Sequence, residues 1–272
     1  MSIGSGAMPS LGHSLDISST QPTPFARLVR VELRKTWDTL AGFWLLLSTA
    51  ALTALVMVIQ LAVGITQDDV SLTYNSFLTS TNFSIAVLLP IIGIMLLTSE
   101  WSQRTAMVTF SLEPRRPHVI AAKLVVGLGL AVAAVVIALL LATACNALYG
   151  VLSDDPTVWN ASVAITSGFV LLQVIGILTG FAFATLFLNT PAAIVLYMVY
   201  SFVLPGLFEL GAQLMDWFDK IRPWIDFNFA QGPLVDATMT GKDWAYFAVS
   251  GFIWLVVPLS VGLWRVLRAE VK

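Results

Sequence analysis

The chain has 272 residues, of which 57% are hydrophobic and 11% are charged, and its formal net charge is -2. A water-soluble domain would have too little polar surface to cover so much apolar material, so the composition excludes a soluble globular protein. It indicates a membrane protein, and it offers no basic surface for nucleic acid.

The first 24 residues are rich in Ser, Thr, Gly and Pro, which is typical of a disordered segment. They lack the basic stretch and apolar run of a cleaved secretory signal. We expect positions 1–24 to form a disordered tail on the cytoplasmic side.

Positions 25–40 predict an amphipathic helix that lies in the membrane interface, with its apolar face in lipid and its basic face toward the headgroups. The residues of interest in this interfacial helix are Arg27, Arg30, Glu32, Arg34 and Lys35. A simple topogenic anchor is one interpretation. Glu32 lies near the apolar side, which an anchor would not need, and this favours a specific contact.

Five long stretches contain no Asp, Glu, Lys or Arg, at 39–67, 70–99, 124–153, 156–208 and 244–264. A helix needs about 20 apolar residues to cross about 30 Å of hydrocarbon. The fourth stretch is long enough for two spans and is interrupted by Asn189-Thr190-Pro191, which predicts a turn and a new helix. The sequence therefore predicts an all-α polytopic membrane protein, with a transmembrane domain over 41–272 and six spans at about 43–65, 77–98, 121–149, 161–188, 191–210 and 244–266.

Basic residues lie before the first span, after the second and after the sixth, whereas the loops after the first and third spans carry only Asp. The positive-inside rule therefore predicts that both termini are cytoplasmic. Pro205 and Gly206 are expected to break the fifth span near its outer end. The aromatic-rich segment that follows, at about 206–243, is then external, either as a re-entrant hairpin or as a surface lid.

The cytoplasmic loop at 99–123 concentrates charge. Glu100 and Arg104 are four residues apart, in the order that favours an ion pair within a helix. A mostly apolar stripe at helical spacing consists of Trp101, Thr105, Val108 and Leu112. Pro114 disfavours helical geometry at Glu113, so we expect a short helix over about 100–113 and then a kinked basic corner. An ordinary positive-inside loop is the alternative, but an exposed apolar stripe suggests a docking surface.

The sequence lacks the residue sets of common catalytic and metal sites. It has no G-x-x-x-x-G-K-[ST] phosphate loop, no second ligand at metal spacing from either histidine, and no carboxylate near the centre of a span. We therefore expect no catalytic residue, metal or cofactor in this chain. The candidate residues for lining a translocation path are Thr79, Asn82, Tyr197 and Tyr200. For Asn82 and Tyr200, an interhelical hydrogen bond is the alternative role.

The segment S-E-W-S-Q-R-T-A-M-V-T-F-S-L-E-P-R-R-P-H-V-I-A-A-K at 99–123 resembles type-2 ATP-binding cassette (ABC) exporter permeases. In these, a Glu ends the second span, a Thr follows four or five residues later, and a Leu-x-Pro-x-Arg corner leads to a Lys entering the third span. The corresponding residues are Glu100, Thr105, Leu112, Pro114, Arg116 and Lys123. The E-L-R-K sequence with Glu32 and Lys35 resembles the family's interfacial helix, and the similarity covers about 25–272.

The resemblance implies the membrane permease of an exporter in the bacterial plasma (inner) membrane. A separate cytoplasmic ATP-binding cassette subunit would bind ATP and Mg, and the permease would pair with a second copy of itself or a related permease within membrane lipid. The helix at about 100–113 would be the coupling helix, bundled with the interfacial helix. The residues implied in coupling are Glu100, Arg104, Thr105, Leu112, Glu113, Pro114 and Arg116.

A cavity between these spans would be lined by few polar groups and no charges, which favours a hydrophobic or amphiphilic substrate. The alternative from another class is a six-span interaction or immunity protein without transport activity. A membrane enzyme is a third interpretation, against which the missing catalytic pairs argue.

Overall fold

The computed structural model describes residues 23–67, 69–153 and 156–268, so most of the predicted tail lies outside the described residues. These ranges fold into α-helices joined by short loops. The helices are α1 Phe25–Asp38, α2 Leu40–Thr66, α3 Tyr74–Ser102, α4 Ala106–Leu112, α5 Arg116–Leu152, α6 Val163–Phe187, α7 Thr190–Met198, α8 Leu204–Leu214, α9 Asp216–Ile225, α10 Phe227–Val235, α11 Gly241–Gly251 and α12 Val257–Arg268. Two π-helical turns, Val199–Val203 and Phe252–Val256, join α7 to α8 and α11 to α12.

Within the described ranges, six helices are long and apolar enough to cross a membrane. They are α2, α3, α5, α6, the continuous helix of α7 and α8, and the continuous helix of α11 and α12. The prediction of an all-α polytopic protein with six spans is therefore confirmed.

The centre of the bundle is the pair α3 and α6. Protein buries 61% of the apolar window of α3 and 67% of that of α6, against 17% for α2 and 11% for the last span. Small residues allow the close approach, since a Cβ on Gly180 would lie only 2.2 Å from the Pro90 carbonyl oxygen. The other spans surround this pair and leave most of their apolar surface for lipid.

The break predicted after the fourth span is confirmed. Helix α6 ends at Phe187, and Leu188 takes a left-handed conformation with φ 51°. Asn189 then caps α7, because its side-chain oxygen accepts a hydrogen bond from the Ala192 amide at 3.0 Å. Pro191 lies in the first turn of α7, where its missing N–H costs nothing.

The break predicted at Pro205 and Gly206 is wrong. The π-helical turn just before Pro205 widens the helix, so the chain continues as α8 to Leu214. A helix accommodates proline by such a local change in its hydrogen-bond pattern when neighbouring groups satisfy the freed carbonyls. The connection beyond the fifth span therefore begins at Met215 rather than at about 206.

This connection forms two short helices, α9 and α10, that pack on the ends of the spans. Phe227 and Leu234 of α10 are buried, and the Leu234 carbonyl lies against Gly168 of α6. Asp226, which is also buried, caps α10 through the Phe229 amide and pairs with Arg222. The choice between a re-entrant hairpin and a surface lid depends on depth in the membrane and stays a prediction.

Candidate functional site

Four charged residues from three helices, one of them α1, contact one another. We call Glu32, Lys35, Glu100 and Lys123 the charge cluster. The first two lie on the same face of α1, Glu100 lies in the last turn of α3, and Lys123 lies in the second turn of α5. Residues that are up to 91 positions apart in the sequence thereby come within hydrogen-bond distance.

The cluster alternates positive and negative groups. Lys123 Nζ lies 2.6 Å from Glu32 Oε2 and 3.4 Å from Glu100 Oε2. Lys35 Nζ lies 2.8 Å from Glu32 Oε1 and 2.6 Å from Glu100 Oε1. Each ammonium therefore contacts both carboxylates, so the two negative charges are shared between two positive ones.

Three of the four members are buried. The exposed fraction is 4% for Lys123, 5% for Glu32 and 7% for Glu100, whereas the Lys35 side chain is 42% exposed. Removing one member of a buried ion pair costs about 3–5 kcal/mol, because its partner is left charged and uncompensated. The cluster is tolerated because its four charges sum to zero.

Further hydrogen bonds join the cluster to its surroundings. Lys123 Nζ donates to the Leu96 carbonyl at 3.0 Å, which ties α5 to α3 one turn before Glu100. Thr109 Oγ1 donates to Glu100 Oε1 at 3.1 Å and thereby attaches α4. The Glu100 carboxylate of α3 thus contacts side chains of α1, α4 and α5.

Lys35 remains charged at neutral pH. Burial lowers the pKa of Lys35, but hydrogen bonds to Glu100 and Glu32 raise it, and the net pKa lies above the ordinary value of 10.5. The Lys35 ammonium therefore keeps its positive charge between the two carboxylates at physiological pH.

The helix predicted over about 100–113 is interrupted. Helix α3 runs to Ser102, α4 covers Ala106–Leu112, and Arg104 between them takes a left-handed conformation with φ 58°. The ion pair predicted between Glu100 and Arg104 is wrong. Among the described residues Arg104 makes no ion pair, because the turn directs it away from Glu100, whose carboxylate pairs with the two lysines.

Helix α4 carries an exposed apolar surface, consisting of Met107, Val108 and Leu112, which are 50%, 60% and 78% exposed. On its other side, the Phe110 ring lies 6.0 Å from the Trp101 ring. The predicted stripe is thus split, with Trp101 turned toward the protein and Val108 and Leu112 turned outward. Thr105 is exposed in the turn before α4, and its amide bonds to the Glu100 carbonyl at 2.9 Å.

The basic corner after α4 is ordered by one buried carboxylate. Arg115 donates to both oxygens of Glu113, at 2.7 and 3.2 Å, and its guanidinium also reaches the Thr23 carbonyl. The hydrogen bond from Arg115 lowers the pKa of Glu113 below its ordinary value. Pro114 separates this pair and keeps Glu113 extended, as predicted.

Arg116 begins α5 and joins the corner to two other helices. Its guanidinium lies 5.0 Å from the Phe110 ring centroid of α4 and 3.4 Å from the Val266 carbonyl of α12. Of the residues predicted from the loop pattern, Glu100 lies at the charge cluster, while Glu113, Pro114 and Arg116 form this corner. Arg104 and Leu112 belong to neither contact and are exposed.

The basic face of α1 is exposed and separate from the cluster. Arg27, Arg30 and Arg34 are exposed, and the ion pair of Arg34 within the described residues is with Asp38 on its own helix, at 3.1 Å. The buried face carries Glu32 and Lys35 instead. Glu32 makes its specific contacts within the chain, with Lys35 and Lys123, and a contact of α1 with a partner protein stays a prediction.

Three of the four candidate path residues share one cavity. It has a volume of about 160 Å³, and its polar lining includes Asn82, Tyr197, Tyr200, Asn228 and Gln231. The fourth candidate, Thr79, lies beside Asn82 in a separate space of about 10 Å³.

Tyr197 also has a structural contact that the sequence analysis missed. Its hydroxyl donates to the Ala86 carbonyl at 2.7 Å. Ala86 is four residues before Pro90, which lacks the N–H that would otherwise bond to this carbonyl in α3. Tyr197 therefore satisfies a backbone oxygen that a proline leaves free within a span.

The sequence analysis also did not predict that Lys123 pairs with Glu32 and Glu100, or that Thr109 donates a hydrogen bond to Glu100. A lysine within the apolar start of a span was the available signal for Lys123, because such a residue needs a partner. No pattern in α4 distinguishes Thr109 from its neighbours.

Comparison with known proteins does not assign the chain to a family. No protein-family model matches the sequence, and no curated protein matches it at a significant level.

Proposed function

We propose that this protein is the membrane permease subunit of an ABC exporter, driven by ATP hydrolysis on a separate cytoplasmic subunit. The proposal rests on one observation. The short helix α4 presents an apolar outer surface, and its inner side is hydrogen bonded to Glu100 within a buried charge cluster.

The contacts of the charge cluster would transmit a displacement of α4 to the membrane-spanning helices. A push on α4 would act on Glu100 through Thr109 and therefore on the end of α3. Because both lysines contact Glu100, the same displacement would reach α1 and α5. Buried ion pairs suit this role, since separating them is costly and the linked helices move together.

The proposed orientation has both termini, α1 and α4 in the cytoplasm of a bacterial cell. The positive-inside rule supports it, since the basic residues of α1, the α4 corner and the end of α12 lie at the same side. The external side then carries α9 and α10. In this arrangement the ATP-binding subunit would contact Met107, Val108 and Leu112.

The proposed translocation path borders α3 and the α7–α8 span, where Asn82, Tyr197 and Tyr200 line one cavity. Among the residues that the structure describes, no charged side chain lines this cavity, which favours an uncharged, amphiphilic substrate. A volume of about 160 Å³ is small for such a molecule. A second permease copy would therefore complete the path, and this chain itself would be non-catalytic.

The test is affinity purification of the protein from its native membrane in mild detergent, with identification of co-purifying chains and an assay of ATP hydrolysis. We expect a stoichiometric ATP-binding subunit. Leu112→Asp should reduce its recovery about tenfold or more, because the substitution would bury an uncompensated charge in the contact.

Leu214→Asp is the matched control. Leu214 is also the last residue of its helix and is 81% exposed, against 78% for Leu112, but it lies at the external side in the proposed orientation. Equal recovery of the ATP-binding subunit with both variants would contradict the α4 contact. A folded protein that retains no such subunit would instead favour the non-transporting interaction protein.

A further inference from the structure

A cavity of about 380 Å³ adjoins the charge cluster, and the function proposed above assigns it no ligand. It lies between α1, the first turns of α2, the end of α3 and α4. The exposed residues Thr39, Ala41 and Gln103 are part of its lining, so it opens to the surroundings of the protein. Its size falls within the range of sites that bind small molecules.

The cavity has two chemically distinct walls. One wall is apolar and includes Leu45 of α2 together with Ile92 and Met95 of α3. The other contains all four members of the charge cluster and several hydroxyl groups, among them Ser99 and Thr36. The two walls meet where α1 ends and the first span begins, and an interfacial α1 would place this junction where lipid headgroups join their acyl chains.

On the charged wall, one N–H of Lys35 and the Oε2 oxygen of Glu100 can still form a hydrogen bond with a ligand. Within the described part of the chain, Lys35 donates to Glu32 and Glu100, which uses two of the three N–H bonds of its ammonium. Glu100 Oε2 has Lys123 Nζ at 3.4 Å, which is beyond a good hydrogen bond. The wall thus offers a cationic donor beside an anionic acceptor.

We propose that this cavity binds a phospholipid with a zwitterionic, hydrogen-bonding headgroup, namely phosphatidylethanolamine. Its phosphate accepts from the third N–H of Lys35, and its primary ammonium donates to Glu100 Oε2. The acyl chains then follow the apolar wall along Leu45 and Met95. Because the cluster is neutral, an anionic lipid gains no net attraction, and a trimethylated choline headgroup has no N–H to donate.

The test is lipid retention by the purified full-length chain, measured by native mass spectrometry after exchange into nanodiscs of phosphatidylethanolamine, phosphatidylcholine and phosphatidylglycerol in equal amounts. We expect phosphatidylethanolamine to be retained about tenfold more than either other lipid. That ratio corresponds to the loss of one charge-assisted hydrogen bond. Equal retention of all three lipids, or preference for phosphatidylglycerol, would overturn the assignment.

A pair of variants locates the lipid. Leu45→Trp fills the apolar wall of the cavity, whereas Leu55→Trp adds the same side chain to a 54% exposed position on the same helix. We expect only Leu45→Trp to abolish the preference for phosphatidylethanolamine. A preference that survives Leu45→Trp would show that the lipid binds elsewhere. This readout requires neither an ATP-binding subunit nor transport, so it stands or fails separately from the proposed function.

Discussion

Lys123 Nζ lies 2.6 Å from Glu32 Oε2, although the two residues are 91 positions apart and belong to the interfacial helix α1 and the span α5. Both side chains are almost fully buried, and each also has a second charged partner in the cluster. The contact fastens the helix that precedes the first span to the base of the third. It makes the charge cluster a structural joint as well as a candidate coupling element.

Replacing both members of this pair should cost less than the two single replacements added together. Lys123→Met leaves two buried carboxylates with one cation, and we expect a loss of about 3–5 kcal/mol in the free energy of unfolding. The double variant Glu32→Met/Lys123→Met keeps the remaining pair neutral and should lose less than the sum of the two single variants. Unfolding in mixed detergent micelles measures all four proteins, and simple additivity would contradict a shared ionic cluster.

The turn between α3 and α4 should prefer glycine at position 104. A left-handed conformation costs a residue with a Cβ about 1–2 kcal/mol, and glycine avoids this cost. We expect Arg104→Gly to be more stable than Arg104→Ala by about 1 kcal/mol, with both lacking the same charged side chain. The same unfolding measurement compares them. Equal stability would mean that φ at this position is not held near 58°.

Tyr197→Phe should destabilise the bundle by about 1–3 kcal/mol, because the carbonyl of Ala86 loses its hydrogen bond. The effect should shrink in a Pro90→Ala background, where residue 90 regains an N–H for that carbonyl. A double-mutant cycle over Pro90 and Tyr197 checks this coupling. An unchanged cost of Tyr197→Phe in that background would assign the tyrosine to the cavity rather than to the backbone of α3.

Gly180→Ala tests the close contact of the two central spans. A methyl group there would meet the backbone of Pro90 at 2.2 Å, and backbone cannot move aside as a flexible side chain can. We expect a loss of about 1–3 kcal/mol from overpacking. Gly129→Ala is the control, since nothing lies within 4 Å of its added Cβ and the substitution favours the helix. If the two variants unfolded alike, α3 and α6 would not approach as closely as described.

Much of the architecture was predictable because the membrane simplifies the problem. A span must be a long apolar helix, so its length and lack of charge are visible in the sequence. The turn before α7 was also predictable, since Asn189 and Pro191 are a cap and a first-turn residue that act locally. Pro205 misled the same reasoning, because the π-helical turn that accommodates it depends on the neighbouring helices.

The candidate site was predictable only in part. Glu32, Lys35 and Glu100 were singled out before their contacts were known, but Glu100 was given Arg104 as its partner. Local spacing suggests an ion pair at four residues, whereas the actual partners come from α1 and α5. Burial decides between them, since the interior strengthens the pairs with Lys35 and Lys123, while Arg104 stays in water.

The sequence alone determined that this is a six-span helical membrane protein with a charged loop between its second and third spans, because hydrophobic length and charge placement act along the chain. Only the tertiary structure decided which charges meet, where the loop helix begins, and that Tyr197 completes the backbone of α3. Those features depend on contacts between distant segments, and such contacts are selected by packing and by the cost of leaving a polar group unpaired.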